Sequence, residues 1–193
     1  MRRRETTLNQ HGHTLLELLI ALIVGGIVAA AGVRFYQSMN QQVVSQQELS
    51  DMLQVNRICL EEIATNLRWA GYKLTAHDPF MISGDSLEIY YRPDSTVDTI
   101  RYFLGEYDEY DSTSMAAGLP EGMEAFMLMK QINSEAAVPF ADLITRLQYT
   151  PINSRTIAIT LDNQTSRYDE TFSVNNGYRE FTNTERVVLR NVE

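Results

Sequence analysis

From Leu15 to Val33 the chain runs through 19 residues among which Glu17 is the only acidic or basic side chain. A helix of about 20 apolar residues covers the hydrocarbon core of a bilayer, so the run predicts a membrane-spanning helix near the N-terminus. No proline occurs before Pro79, and nothing in the backbone forces that helix to stop at the membrane surface. Arg2, Arg3 and Arg4 stand ahead of the run. By the excess of basic residues on the cytoplasmic side, they predict a cytoplasmic N-terminus and an exported C-terminal bulk.

The rest of the chain is acidic. The net charge is −9; removing residues 1–12 takes away three arginines and one glutamate, leaving 13 basic and 24 acidic residues, a net of −11. Such a chain repels nucleic acid and anionic lipid surfaces, and no nucleic-acid partner is expected. With 193 residues, it has room for one ordinary domain plus a short element. Cys59 is the only cysteine, which excludes an intramolecular disulfide and a cysteine-built zinc site and reads as a small apolar core residue. The histidines are His11, His13 and His77, so the exported part owns one imidazole. A Ser-His-Asp or Cys-His apparatus is hard to build from that stock, and neither an enzyme nor a cofactor is expected.

Three readings compete for the N-terminal segment. It can be a plain signal anchor, or a secretory signal cut after the small residues Ala29-Ala30-Ala31, or a leader cut ahead of the apolar run. Glu17 separates them. A carboxylate inside a spanning helix costs about 2–3 kcal/mol or more and is rarely placed there without a purpose. Neither an anchor nor a secretory signal needs one.

The residues Gly12, His13, Thr14, Leu15, Leu16, Glu17 and the apolar residues after them resemble the type IV prepilin signature. The resemblance implies that prepilin peptidase cuts between Gly12 and His13 and methylates the new amine of His13. Glu17 would be the fifth residue of the mature chain. The family supplies a partner for this carboxylate in the N-terminal amine of a neighbouring subunit, a pairing that neutralises both charges and sets the register of assembly. His13 departs from the phenylalanine usual after the cut.

Beyond the membrane, Leu49, Met52, Leu53, Leu60, Ile63, Ala64 and Leu67 form a helical stripe, read as the core-facing side of a continuing helix. Gly71 is a natural helix stop. Gly25, Gly26 and Gly32 are points where the helix can bend or pack closely. The run Asn66-Leu67-Arg68-Trp69-Ala70-Gly71-Tyr72 resembles the Leu-Arg-x-Ala-Gly-Tyr segment of PilW-type minor pilins and, more loosely, the J-type pseudopilins of type II secretion. Here Arg68 and Trp69 are expected to pack or cap where the helix hands over to a sheet. Val187-Val188-Leu189-Arg190-Asn191 resembles the close of many minor pilins of that group.

Alternating β-branched and aromatic residues predict strands over Ser86–Arg92, Asp98–Leu104, Ala125–Gln131, Leu143–Tyr149, Thr156–Leu161 and Arg186–Arg190. The expected fold class is α+β: the type IV pilin fold, one long N-terminal helix packed on an antiparallel sheet. Its parts are a leader over 1–12, a transmembrane half-helix over 13–33, a soluble amphipathic half-helix over 34–71 and a globular β-rich exported domain over 72–193.

In the exported domain, Glu106, Asp108, Glu109 and Asp111 could offer oxygen ligands to a hard cation, although their spacing does not match an EF-hand and an acidic loop is ordinarily just solvated. Asp162-Asn163-Gln164-Thr165-Ser166 reads as a turn, within which Asn163-Gln164-Thr165 matches a glycosylation acceptor only formally. The favoured function is a minor type IV pilin that helps to initiate pilus assembly. Its implied partners are prepilin peptidase, other minor and major pilins, an inner-membrane assembly platform and membrane lipid. The expected place is the inner membrane, and the pilus fibre or tip after assembly. A J-type pseudopilin is the nearest alternative, and a signal-anchored binding module or enzyme is the alternative of another class.

Overall fold

The computed structural model describes residues 14–75, 78–106, 125–165 and 177–191. Helix α1 spans Thr14–Trp69, 56 residues without a break. Seven strands follow: β1 (Phe80–Ser83), β2 (Ser86–Tyr91), β3 (Asp98–Gly105), β4 (Phe126–Ile132), β5 (Val138–Asn153), β6 (Thr156–Gln164) and β7 (Glu180–Val188). They form one sheet in the order of the sequence, and every neighbouring pair is antiparallel. The α+β architecture expected from the sequence is the one observed.

The chain divides into two compact units. The first reaches to Gln47 and the second runs from Glu48. In the first unit every side chain from Leu15 to Val43 is exposed, including the whole apolar run. In the second, the continuing helix buries Met52, Asn56, Cys59, Leu60, Ile63, Ala64 and Leu67. Those positions recur every three or four residues, the spacing that keeps one face of a helix on a sheet. Leu87, Ile89, Ile100, Tyr102, Leu128, Ile157, Ile159 and Leu161 complete that core from the strands.

The expected stripe therefore holds from Met52 onward with two changes, and Leu49 at its start is only half-buried. Leu53 is 39% exposed, and the fully buried position between Met52 and Cys59 is taken by a polar residue, Asn56. Its Nδ2 donates to the Leu161 carbonyl at 3.0 Å and to Asn163 Oδ1 at 3.3 Å, while Asn163 Nδ2 donates to the Met52 carbonyl at 2.9 Å. These bonds overturn the turn expected at Asp162–Ser166. Asp162, Asn163 and Gln164 continue β6, and all three are buried. A polar run reads as a turn from sequence because polar residues avoid cores unless partnered; here the helix supplies the partner.

The other differences lie at the edges of strands. β1 went unpredicted, being four residues long directly after Pro79 and paired only to β2 through the two-residue turn Gly84-Asp85, with Gly84 at a φ of 62°. β5 begins at Val138, ahead of a register irregularity in its pairing with β4 where Leu143 takes a φ of 54°. β7 begins at Glu180 because Glu180, Thr182, Thr184 and Arg186 alternate outward with Phe181, Asn183, Glu185 and Val187 on the other face. That pattern is periodic but too polar to announce itself as a strand.

Candidate functional site

Two places carry the residues that the sequence singled out. The first is the exposed N-terminal part of α1. Gly12 and His13 lie outside the described residues, and Glu17 sits in the first helical turn with its side chain exposed. Among the described residues, Glu17 is the only ionisable group between Thr14 and Val33. An exposed stretch of Leu, Ile, Val, Ala and Gly of this length has no stable place in water.

The second is the end of α1, where the helix passes into the sheet. Gly71 adopts a φ of 79°, and a Cβ built there would lie 2.6 Å from the Asn191 carbonyl oxygen. Only glycine meets both conditions without strain. Gly71 N–H donates to the Tyr90 carbonyl at 2.9 Å, and Arg92 N–H donates to the Tyr72 carbonyl at 2.9 Å, which sews the helix end to β2. Four carbonyls at the helix end, those of Leu67, Arg68, Trp69 and Ala70, find donors. Leu67 accepts from Ala70 N–H, Trp69 from Tyr72 N–H, and Arg68 and Ala70 from Asn191 Nδ2 at 3.2 and 3.4 Å. Such orphan carbonyls ordinarily need water or a capping motif.

Arg68 does not cap the helix with its guanidinium, which instead lies 3.4 Å from Glu185 Oε1 and ties the helix end to β7. Trp69 does not pack into the core. It is 53% exposed and meets Tyr72 edge-to-face with ring centroids 5.4 Å apart. The buried helix face at this level is occupied by Leu67 and Ala70, which turns Trp69 outward. Beside Arg68, a shallow groove of about 260 Å³ is lined by Arg57, Leu60, Glu61, Asn183 and Glu185.

A polar network missed from the sequence joins the helix to β3 and β4. Glu62 Oε1 accepts from Lys130 Nζ at 2.6 Å, Asn66 Nδ2 at 3.1 Å and Tyr102 OH at 3.4 Å. Hydrogen bonding to Lys130 is the main cause holding the Glu62 carboxyl below its usual range. Burial, with the Glu62 charge beside it, raises the Tyr102 hydroxyl. The signal available in advance was weak: Glu62 and Asn66 are one helical turn apart, a spacing common on any solvated face.

Cys59 is buried as expected, and desolvation followed by the nearby Asp142 charge pushes its thiol up to about 12. The thiol stays protonated at neutral pH and is no nucleophile. Of the proposed cation ligands, Glu106 is exposed just past β3, whereas Asp108, Glu109 and Asp111 lie outside the described residues. Among the described residues no three His, Cys, Asp or Glu side chains converge in a way that could hold a metal ion. His77 also lies outside them.

The prokaryotic N-terminal methylation motif matches residues 7–33. No curated protein and no solved structure matches the chain. The motif supports a type IV pilin-like prepilin signal, shared by pilins and pseudopilins, which implies processing by prepilin peptidase and assembly with other pilins. Among the described residues α1 is the one helix long and apolar enough to cross a bilayer, and together with the motif it supports a membrane-anchored, single-pass chain.

Proposed function

We propose that the chain is a PilW-like minor type IV pilin. Prepilin peptidase cuts it between Gly12 and His13 and methylates His13, and the mature subunit enters the pilus through α1, with residues 13–33 in lipid before assembly. Its N-terminus is cytoplasmic, and its domain from residue 72 onward is exported across the inner membrane. Glu17 pairs with the amine of a neighbouring pilin and fixes the axial register. The observation that carries this reading is the continuity of the methylation motif at 7–33 with a fully exposed apolar helix interrupted only by Glu17. The PilW-type assignment draws support from the packing of its two most suggestive segments on one another: Asn191 of the closing run caps the helix that ends in Arg68-Trp69-Ala70-Gly71-Tyr72.

The test is the intact mass and N-terminal sequence of the chain recovered from membranes and from sheared pili. A start at His13, with or without a methyl group, is expected; an uncut Met1 or a start at Gly32 overturns the reading. Glu17→Ala is expected to insert normally in the membrane and to be lost from the pilus fraction. Recovery in a type II secretion complex, and absence from pili, would assign the chain to the pseudopilins instead.

A further inference from the structure

The helix does not change abruptly where the apolar run ends. Arg34, Phe35 and Tyr36 follow Val33 within the same uninterrupted helix, and all three are exposed, Phe35 by 68% and Tyr36 by 72%. After Arg34 the next charged residue is Glu48, so the stretch from Phe35 to Gln47 is uncharged and rich in glutamine. At a rise of about 1.5 Å per residue, Arg34 to Tyr36 stand roughly 30 Å along the axis from Leu15, one hydrocarbon thickness.

Their arrangement around the axis matters as much as their height. Successive helical residues are rotated by about 100°, so these three side chains face three separate directions spread over about 200° of the circumference. A partner helix would meet one face, at positions three and four apart. A surface that surrounds the helix evenly meets all three. Arg34 and Tyr36 each have an apolar and a polar end, and Phe35 is apolar throughout: the arginine stem lies along acyl chains while its guanidinium reaches a phosphate in bidentate fashion, a tyrosine ring rests at headgroup level with its hydroxyl in water, and the phenylalanine ring lies on the acyl side of that boundary.

We propose that Arg34, Phe35 and Tyr36 form a lipid-binding collar at the exported face of the membrane, in which Arg34 holds a phospholipid phosphate and the two rings sit at the boundary of headgroup and acyl chain. The collar sets the depth of α1 in the bilayer and rests on the reading that α1 spans it. Phospholipid is the ligand, because a spread of about 200° around the helix, with a guanidinium, an apolar ring and a phenol at one height, is wider than the single face that a partner helix would meet and fits the boundary of headgroup and acyl chain.

The chain contains one tryptophan, Trp69, so depth can be read from a single relocated indole. In a Trp69→Phe background, the full-length protein carrying Tyr36→Trp, Val24→Trp or Val43→Trp is reconstituted into phosphatidylglycerol–phosphatidylcholine vesicles with lipids brominated either beside the headgroup or near the chain end. The Tyr36→Trp reporter is expected to be quenched most by bromine beside the headgroup. Val24→Trp is expected to be quenched most by bromine at the chain end, and Val43→Trp only by aqueous acrylamide. Adding Arg34→Gln to the Tyr36→Trp reporter is expected to shift its strongest quenching toward the chain end. Equal quenching of the Tyr36→Trp reporter by both lipids overturns the collar, as does a depth that Arg34→Gln leaves unchanged. Shielding of that reporter from lipid and acrylamide alike also overturns it, and assigns the position to a neighbouring helix. If Val24→Trp escapes both brominated lipids, the spanning reading itself fails, and the collar with it.

Discussion

Asn191 Nδ2 lies 3.2 Å from the Arg68 carbonyl oxygen and 3.4 Å from that of Ala70, so a side chain 123 residues further along closes the end of α1. The contact depends on Gly71, whose missing Cβ lets the Asn191 backbone approach. Gly71→Ala is expected to destabilise the exported unit by about 1–3 kcal/mol, through a strained positive φ and a clash with backbone. Asn191→Ala, which removes the donor and leaves Gly71 intact, is expected to cost about 1 kcal/mol. Denaturant unfolding of the detergent-solubilised chain, followed by Trp69 emission, measures both. Equal stability of Gly71→Ala and the wild type would refute the tight approach.

The pair Asn56 and Asn163 ties the helix to β6 inside the core. Asn56 Oδ1 is buried without a partner among the described residues, while its Nδ2 donates twice. Asn56→Ala is expected to cost about 1–3 kcal/mol, since it removes the Asn56 donor to Asn163 Oδ1 and to the Leu161 carbonyl and opens a small void. Asn163→Ala is expected to cost a similar amount, and the double variant less than the sum. A coupling of about 0.5 kcal/mol or more in that cycle marks a direct interaction, and strict additivity would contradict the geometry.

These two sites show what the sequence could and could not announce. Leu60, Ile63, Ala64 and Leu67 repeat at helical spacing, and Ile157, Ile159 and Leu161 alternate, so the main helix and the interior strand β6 were legible from hydrophobicity alone. The apolar helix around Glu17 was legible too, from 19 residues with one ionisable side chain among them. Asn56, Asn163 and the polar half of β7 were not. Their burial depends on a partner more than 100 residues away, or on a place in a ladder, and neither leaves a local trace. Trp69 misled for the opposite reason: its size suggests packing, but the helical phase set by Leu67 and Ala70 turns it outward.

Cys59 gives a chemical readout of that core. With its thiol pushed up to about 12 by burial, the thiolate fraction at pH 8 is far below that of a free cysteine, whose pKa is about 8.5. The folded chain is expected to resist iodoacetamide at pH 8 and to react fully once unfolded in urea. Mass spectrometry of the alkylated protein counts the modification directly. Rapid labelling without denaturant would place Cys59 at the surface and undo the helix phase on which the core rests.

Glu62 supplies the pH dependence. Its carboxyl is held below the usual range chiefly by Lys130 in the folded state, whereas in the unfolded chain it titrates near about 4.3. A lowered acid binds fewer protons folded than unfolded, so its contribution to stability is fully present above the unfolded pKa and is lost as pH falls through the folded one. Both partners are partly exposed, which keeps the effect modest and sensitive to salt. The melting temperature of the wild type is therefore expected to fall more than that of Glu62→Gln between pH 6 and pH 3, and the gap between the two to narrow in high salt. Lys130→Met separates the ion pair from the hydrogen bonds of Asn66 and Tyr102, because it removes the charge and leaves those donors in place. If Lys130 dominates, Lys130→Met flattens the acid limb of the stability curve nearly as much as Glu62→Gln does. An acid limb unchanged by Lys130→Met would instead assign the lowered carboxyl to Asn66 and Tyr102.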